Sequence, residues 1–192
     1  MNILIKPVEY IKFKIFEKKF STTINLINYH LNWKKRKTGE AMFMHSYRMF
    51  KKCIESWIYD EIVLNSILLH DIIEDWDFTI NEIKIKFGYS TSCIIKWMTG
   101  VDENKLKFNK NDYFLIFKKY CDFDWRILFV KLFDCIDNLE TIHWLSKERQ
   151  SRFIQEKREV YLPIFEEYTT KIPLKITNIY IRKVSEFKKL LA

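Results

Sequence analysis

Glycine and proline are scarce in this chain, three of each in 192 residues. With so little to turn or break the backbone, long helices joined by short loops are the natural architecture. Cysteine is sparse too. Cys53, Cys93, Cys121 and Cys135 stand singly, with no Cys-x-x-Cys or knuckle spacing. That argues against a disulfide scaffold or a zinc finger and suits a reducing compartment, where thiols serve as small buried hydrophobes. No apolar run approaches the ~20 residues of a membrane span. The first twenty residues scatter Lys6, Lys12, Lys14, Lys18 and Lys19 among their apolar neighbours, so they hold no signal-peptide core. A soluble, cytoplasmic protein with no membrane partner is expected. Repeats, low-complexity tracts and Pro/Gly/Ser linkers are also lacking, so residues 1–192 are expected to form a single domain.

What is present is apolar and basic. Hydrophobic residues make up 48% of the chain and aromatics 17%, enough for one substantial core. The net charge is +8, which would permit nucleic-acid binding. The lysines, however, are dispersed over helix faces, and the only dense run is Lys34-Lys35-Arg36-Lys37. By itself that run reads as a solvated loop, and no nucleic-acid partner is expected. Periodicity predicts an all-α bundle of about ten helices, near 8–19, 22–33, 42–57, 60–75, 80–87, 91–98, 111–121, 124–145, 147–170 and 174–190. Thr79-Ile80-Asn81-Glu82 reads as a capping box, Gly88 as a helix stop, and Ser90 and Ser146 as N-caps.

Three stretches carry chemistry. In Ile67-Leu68-Leu69-His70-Asp71-Ile72-Ile73-Glu74-Asp75, a helical reading puts His70 and Glu74 one turn apart, with Asp71 and Asp75 in the adjoining row. Four ionisable groups held beside a core are costly unless partnered, and a bound cation would remove much of the cost. The second stretch runs from Arg36 through Gly39-Glu40 to His45. The third, Val130 to Thr141, sets Asp134, Asn138 and Thr141 on one narrow helix face. Two His and two Asp from three helices are able to close on one metal. Taken alone, His45 reads rather as a satisfied core histidine, and Asp134 as a capping or ion-paired group.

Together, in this order and spacing, the stretches resemble the HD-type hydrolase domain of the RelA/SpoT homologues. The matching residues are Arg36, Gly39-Glu40 and His45; Leu68-Leu69-His70-Asp71 with Glu74-Asp75; Phe87-Gly88; Lys131-Leu132, Asp134, Asn138 and Thr141; and, more loosely, Glu159 to Ile164. The similarity runs from about residue 25 to 168, as in the small stand-alone alarmone hydrolases, and leaves a further C-terminal helix at 174–190. The resemblance implies one divalent metal, Mn²⁺, held by His45, His70, Asp71 and Asp134. It implies Glu74 and Asp75 as the catalytic acids, with their roles undivided, and a nucleotide, (p)ppGpp, as substrate. Arg36 would stack on the purine, Lys37 with Lys34 and Lys35 would screen phosphates, and Asn138 and Thr141 would lie near ribose and base.

Departures from the family pattern bear on specificity. Ala41 and Ser46 stand where prolines are usual, and Trp76 where a threonine is. Cys135, Asp137 and Glu140 replace residues that are often basic or His, which is expected to make the phosphate-facing side more acidic. Guanine versus adenine alarmone or NADPH therefore stays open. So does a non-catalytic, antitoxin-like partner of an alarmone or its synthetase. Oligomeric state is not legible in the sequence.

Overall fold

The computed structural model describes residues 7–36, 39–100 and 109–192. Among these residues the protein is all-α; the only bridge is an isolated antiparallel one between Lys35 and Ala41. The helices are α1 (Pro7–Lys19), α2 (Ser21–Leu31), α3 (Met42–Glu55), α4 (Glu61–Leu69), α5 (Ile72–Asp75), α6 (Ile80–Phe87), α7 (Tyr89–Met98), α8 (Lys110–Cys121), α9 (Arg126–Glu140), α10 (Lys147–Glu156), α11 (Leu162–Glu167) and α12 (Leu174–Leu190). The helical regions expected from periodicity are all present, three of them subdivided.

The centre is built by α4 and α9, because most of their side chains are buried. Val63, Leu64, Ile67, Leu68 and Leu69 of α4 are fully buried, as are Ile127 to Val130, Leu132, Phe133 and Ile136 of α9. Each such side chain contributes roughly 1.5–3 kcal/mol of transfer free energy. Asp60 starts α4 by accepting hydrogen bonds from the Ile62 and Val63 amides at 2.9 and 3.0 Å. Around this pair pack α2, α3 and α7, with α12 closing over α9. α3 is amphipathic, turning His45, Ser46, Met49, Phe50, Cys53 and Ile54 inward. No helix of the described residues is long and apolar enough to cross a membrane.

The capping box at Thr79 and Glu82 is present, and Gly88, at φ 88°, ends α6. α7 starts directly after it at Tyr89, so Ser90 lies inside the helix and is not its N-cap. Ser146 does occupy the N-cap position of α10, without a side-chain capping bond.

Three expected helices are interrupted, and the one at 124–145 ends at Glu140, with a separate 3₁₀ turn at Ile142–Trp144 after Thr141. The 60–75 helix breaks at His70-Asp71, where the His70 ring bonds the Ile67 carbonyl at 2.9 Å, competing for the acceptor that the next helical amide would use. The 147–170 helix loosens into a π-turn at Lys157–Tyr161 before α11, then ends as a 3₁₀ turn at Tyr168–Lys171. Pro163 sits in the first turn of α11 and has no amide to return to Glu159, which relaxes the ladder at that point.

Candidate active site

Three helical segments meet at one point. α3 supplies His45, the α4–α5 break supplies His70 and Asp71, and α9 supplies Asp134. One ligand atom from each of His45, His70 and Asp71 lies within 4.8 Å of the others. His70 Nε2 is 3.0 Å from Asp71 Oδ1, and His45 Nε2 is 4.0 Å from Asp71 Oδ2. Asp134 joins through its Oδ1, 3.3 Å from His45 Nε2, while its Oδ2 holds Lys131 at 2.9 Å. Asp134 is thus both a candidate ligand and an ion-paired group.

Both imidazoles are held by the same edge. His70 Nδ1 lies 2.9 Å from the Ile67 carbonyl and His45 Nδ1 lies 2.8 Å from Asp137 Oδ2. A carbonyl and a carboxylate only accept, so each Nδ1 carries its proton and each Nε2 is left to face the cluster. His70 Nε2 is buried and makes no hydrogen bond. A buried ring nitrogen that makes no hydrogen bond, beside a second imidazole and two carboxylates, is a donor set that fits a divalent cation.

Burial works against the charge on His70, but Asp71 and Asp134 outweigh it and raise its pKa to about 9. Burial likewise opposes the charge on Asp71, which His70 and then His45 pull down to about 2. Asp134 is held well below the usual carboxylate range because Lys131 and the two histidines overcome its desolvation. These three shifts describe a cluster in which opposite charges offset the cost of burial.

The acidic pair divides. The Gly100 amide donates to Glu74 Oε1 at 2.6 Å. Although solvent reaches Glu74, the surrounding protein raises its pKa, the Asp71 charge adds to the rise, and Gly100, Lys131 and His70 only partly offset it. Asp75 instead accepts from Lys34 at 2.6 Å through Oδ1 and 3.1 Å through its own carbonyl. The break in the helix turns two sequence neighbours toward different partners.

Beside the cluster lies a cavity of about 240 Å³, walled by Arg36, Asn138 and Thr141 together with Met42, Ile142, Leu145 and Phe153. Arg36 is carried by a short hairpin in which its amide bonds Glu40 and the Met42 amide bonds Lys34. Its guanidinium donates to Asn138, whose own amide donates to Asp134. Arg36 Nη1 is buried without a hydrogen-bond partner. Thr141 spends its hydroxyl on the Asp137 carbonyl at 2.8 Å. Lys37 lies outside the described residues.

One expectation is corrected. Cys135 and Asp137 are completely buried, so they do not acidify a phosphate-facing wall. Asp137 faces α3, where it accepts from His45, Arg48 and Lys52, and Glu140 pairs with Lys52. The partnership of Asp137 with His45 was missed. Its signal was a stripe on α3, His45, Arg48 and Lys52, opposite the stripe Asp137 and Glu140 on α9. Lys131 and Lys34 were likewise not foreseen as the partners of Asp134 and Asp75.

A helical bundle that gathers imidazoles and carboxylates from separate helices at one point defines a metal-site helical domain. The chain belongs to the HD-domain family, whose model matches residues 24–166. It is 30% identical over 130 residues to the guanosine-3′,5′-bis(diphosphate) 3′-pyrophosphohydrolase of Aquifex aeolicus, covering 68% of this chain and 18% of that protein. It is 32% identical over 169 residues to a probable enzyme of the same name from Mycoplasma genitalium, covering 79% and 23%. The chain therefore matches about a fifth of the length of these relatives. Among solved structures it resembles a metazoan orthologue of SpoT, described as hydrolysing ppGpp and acting in starvation responses. The TM-score is 0.64 at 20% identity, over 89% of this chain and 94% of that one, a likeness of fold.

Proposed function

We propose that this chain is a Mn²⁺-dependent hydrolase that removes the 3′-pyrophosphate of (p)ppGpp, with water, to give GDP or GTP and pyrophosphate. The observation that carries the reading is the convergence of His45, His70, Asp71 and Asp134 beside a cavity walled by Arg36, Asn138 and Thr141. The names of the bacterial relatives point the same way. In this reading residues 1–192 work as one HD-type unit in the cytoplasm.

The four residues would hold the metal, and an oxygen-rich set with two imidazoles suits Mn²⁺. When bound, the ion supplies Lewis acidity, polarising a phosphoryl oxygen and making water nucleophilic at neutral pH. Glu74 is the group that exchanges the proton: its carboxyl is biased toward protonation and held by Gly100, so it accepts from the attacking water and can return a proton to the departing 3′-oxygen. Asp75, fixed by Lys34, orients the reacting groups. Arg36 lays a planar guanidinium on the purine, and Asn138 and Thr141 line the base and ribose side. Lys37, with Lys34 and Lys35, screens phosphate charge.

The test is product analysis of the purified protein with ppGpp and Mn²⁺, alongside an adenine alarmone and NADPH. GDP plus pyrophosphate is the expected outcome. Turnover of only the other nucleotides would move the specificity. Metal-independent binding of ppGpp without turnover would replace the enzyme with a non-catalytic, antitoxin-like role.

A further inference from the structure

We infer that Asp137 is the positioning residue for the metal ligand His45, and that α3 is patterned to hold this buried carboxylate in place for that purpose. The inference rests on the metal reading above and names a residue outside the ligand set and the acidic pair. Asp137 is completely buried, the position where an ionised carboxylate is least tolerable unless paired. It is paired three times over from one helix. His45 Nδ1 lies 2.8 Å from Oδ2, Arg48 reaches Oδ1 through Nε at 3.0 Å and Oδ2 through Nη2 at 2.8 Å, and Lys52 Nζ reaches Oδ1 at 3.0 Å. Those three residues stand at i, i+3 and i+7 on α3, a single stripe facing one carboxylate.

Arg48 and Lys52 hold the Asp137 carboxylate by hydrogen bonds, and neither touches the metal cluster. The bond to His45 has a different consequence. Because an ionised carboxylate only accepts, His45 must carry its proton on Nδ1 and present the Nε2 lone pair toward Asp134 and Asp71. A carboxylate partner also makes an imidazole a stronger donor than a carbonyl partner does. His45 therefore differs from His70, whose Nδ1 is held by the neutral Ile67 carbonyl. The same Oδ2 lies 3.7 Å from Arg36 Nη1, so the cavity arginine and the metal ligand face one oxygen. α9 thereby delivers a ligand, Asp134, the residue that aims the opposing ligand, Asp137, and a cavity residue, Asn138, within five consecutive positions.

The experiment measures Mn²⁺ binding itself, by titration calorimetry on metal-stripped full-length protein, with thermal unfolding of every variant. Asp137→Ala is expected to weaken Mn²⁺ binding by roughly 10- to 100-fold, the range for outer partners of metal ligands. Asp137→Asn keeps one acceptor oxygen and nearly the same shape, so its affinity should fall between the wild type and Asp137→Ala. If the alanine variant does not fold, the asparagine variant carries the test. Arg48→Met is the control. It disturbs the same buried charge but leaves the bond to His45, so it should lower the melting temperature while Mn²⁺ affinity stays near wild type.

A purely structural role predicts that Asp137→Asn and Arg48→Met lose stability alike and bind Mn²⁺ as the wild type does. That result would overturn the inference and leave the metal reading standing. Equal weakening of Mn²⁺ binding in Arg48→Met and Asp137→Asn would also overturn it, since the effect would then belong to the charge network and not to His45. A wild type that binds no Mn²⁺ refutes both.

Discussion

Replacing Asp134 with alanine removes two things at once, a carboxylate of the proposed metal cluster and the ion-pair partner of Lys131. The two consequences differ in size and in remedy. The Lys131 and Asp134 side chains are 12% and 10% exposed and 2.9 Å apart. Removing one partner of such a buried pair costs about 3–5 kcal/mol, because the other charge is left uncompensated. The Tyr161 ring, 5.1 Å from Lys131 Nζ, offsets a little, which places the expected cost at the lower end. For a chain of this size each kcal/mol moves the melting temperature by about 2–4 °C, so Asp134→Ala should melt roughly 6–12 °C below the wild type. Adding Lys131→Met removes the stranded ammonium and should recover most of that loss. It should not recover Mn²⁺ binding or turnover, because three donors remain where four are required. Thermal unfolding, Mn²⁺ titration and hydrolysis of ppGpp on the two variants separate the roles. A double variant that is stable, binds Mn²⁺ and turns over substrate would show that Asp134 is only an ion-pair partner and withdraw it from the ligand set.

Glu74→Gln should keep Mn²⁺ and lose turnover by about 10²-fold or more, the scale of general acid–base groups. Because the folded-state pKa of Glu74 is raised above its ordinary 4.5, its charge costs stability above that raised value and costs nothing below 4.5. The Gln variant should therefore melt higher than the wild type at neutral pH, with the gain vanishing on acidification; a gain that persisted at low pH would assign it to another cause. Arg36→Ala should raise KM by about 5- to 30-fold with a smaller change in kcat, from the ~1–2 kcal/mol of a cation stacked on a desolvated ring. Arg36→Lys should rescue little, and full rescue by Lys would remove the stacking role. Lys34→Met cuts a pair whose side chains are 37% and 21% exposed, so stability should change by less than about 1 kcal/mol. Turnover should nevertheless fall severalfold and return with Arg, whereas unchanged kcat would show that Asp75 needs no anchor.

The sequence by itself determined the helical class and the extent of most helices, and through its family resemblance it singled out the candidate ligands. Helices were legible because three glycines and three prolines leave long periodic runs whose apolar faces announce themselves locally. His70 and Asp71 were legible because buried ionisable neighbours in an apolar run demand a partner. What only the tertiary structure decided is the pairing between segments distant in the chain. Asp137 read as an acidic departure in a pocket wall until α3 packed on α9 and placed His45, Arg48 and Lys52 against it. Glu74 and Asp75 were an undivided pair until the break at His70-Asp71 sent one to Gly100 and the other to Lys34. The physical reason is the same in both cases. Hydrophobic periodicity is a local property with a fixed repeat, whereas a polar contact between segments distant in the chain depends on which faces meet, and that is settled by packing the whole core.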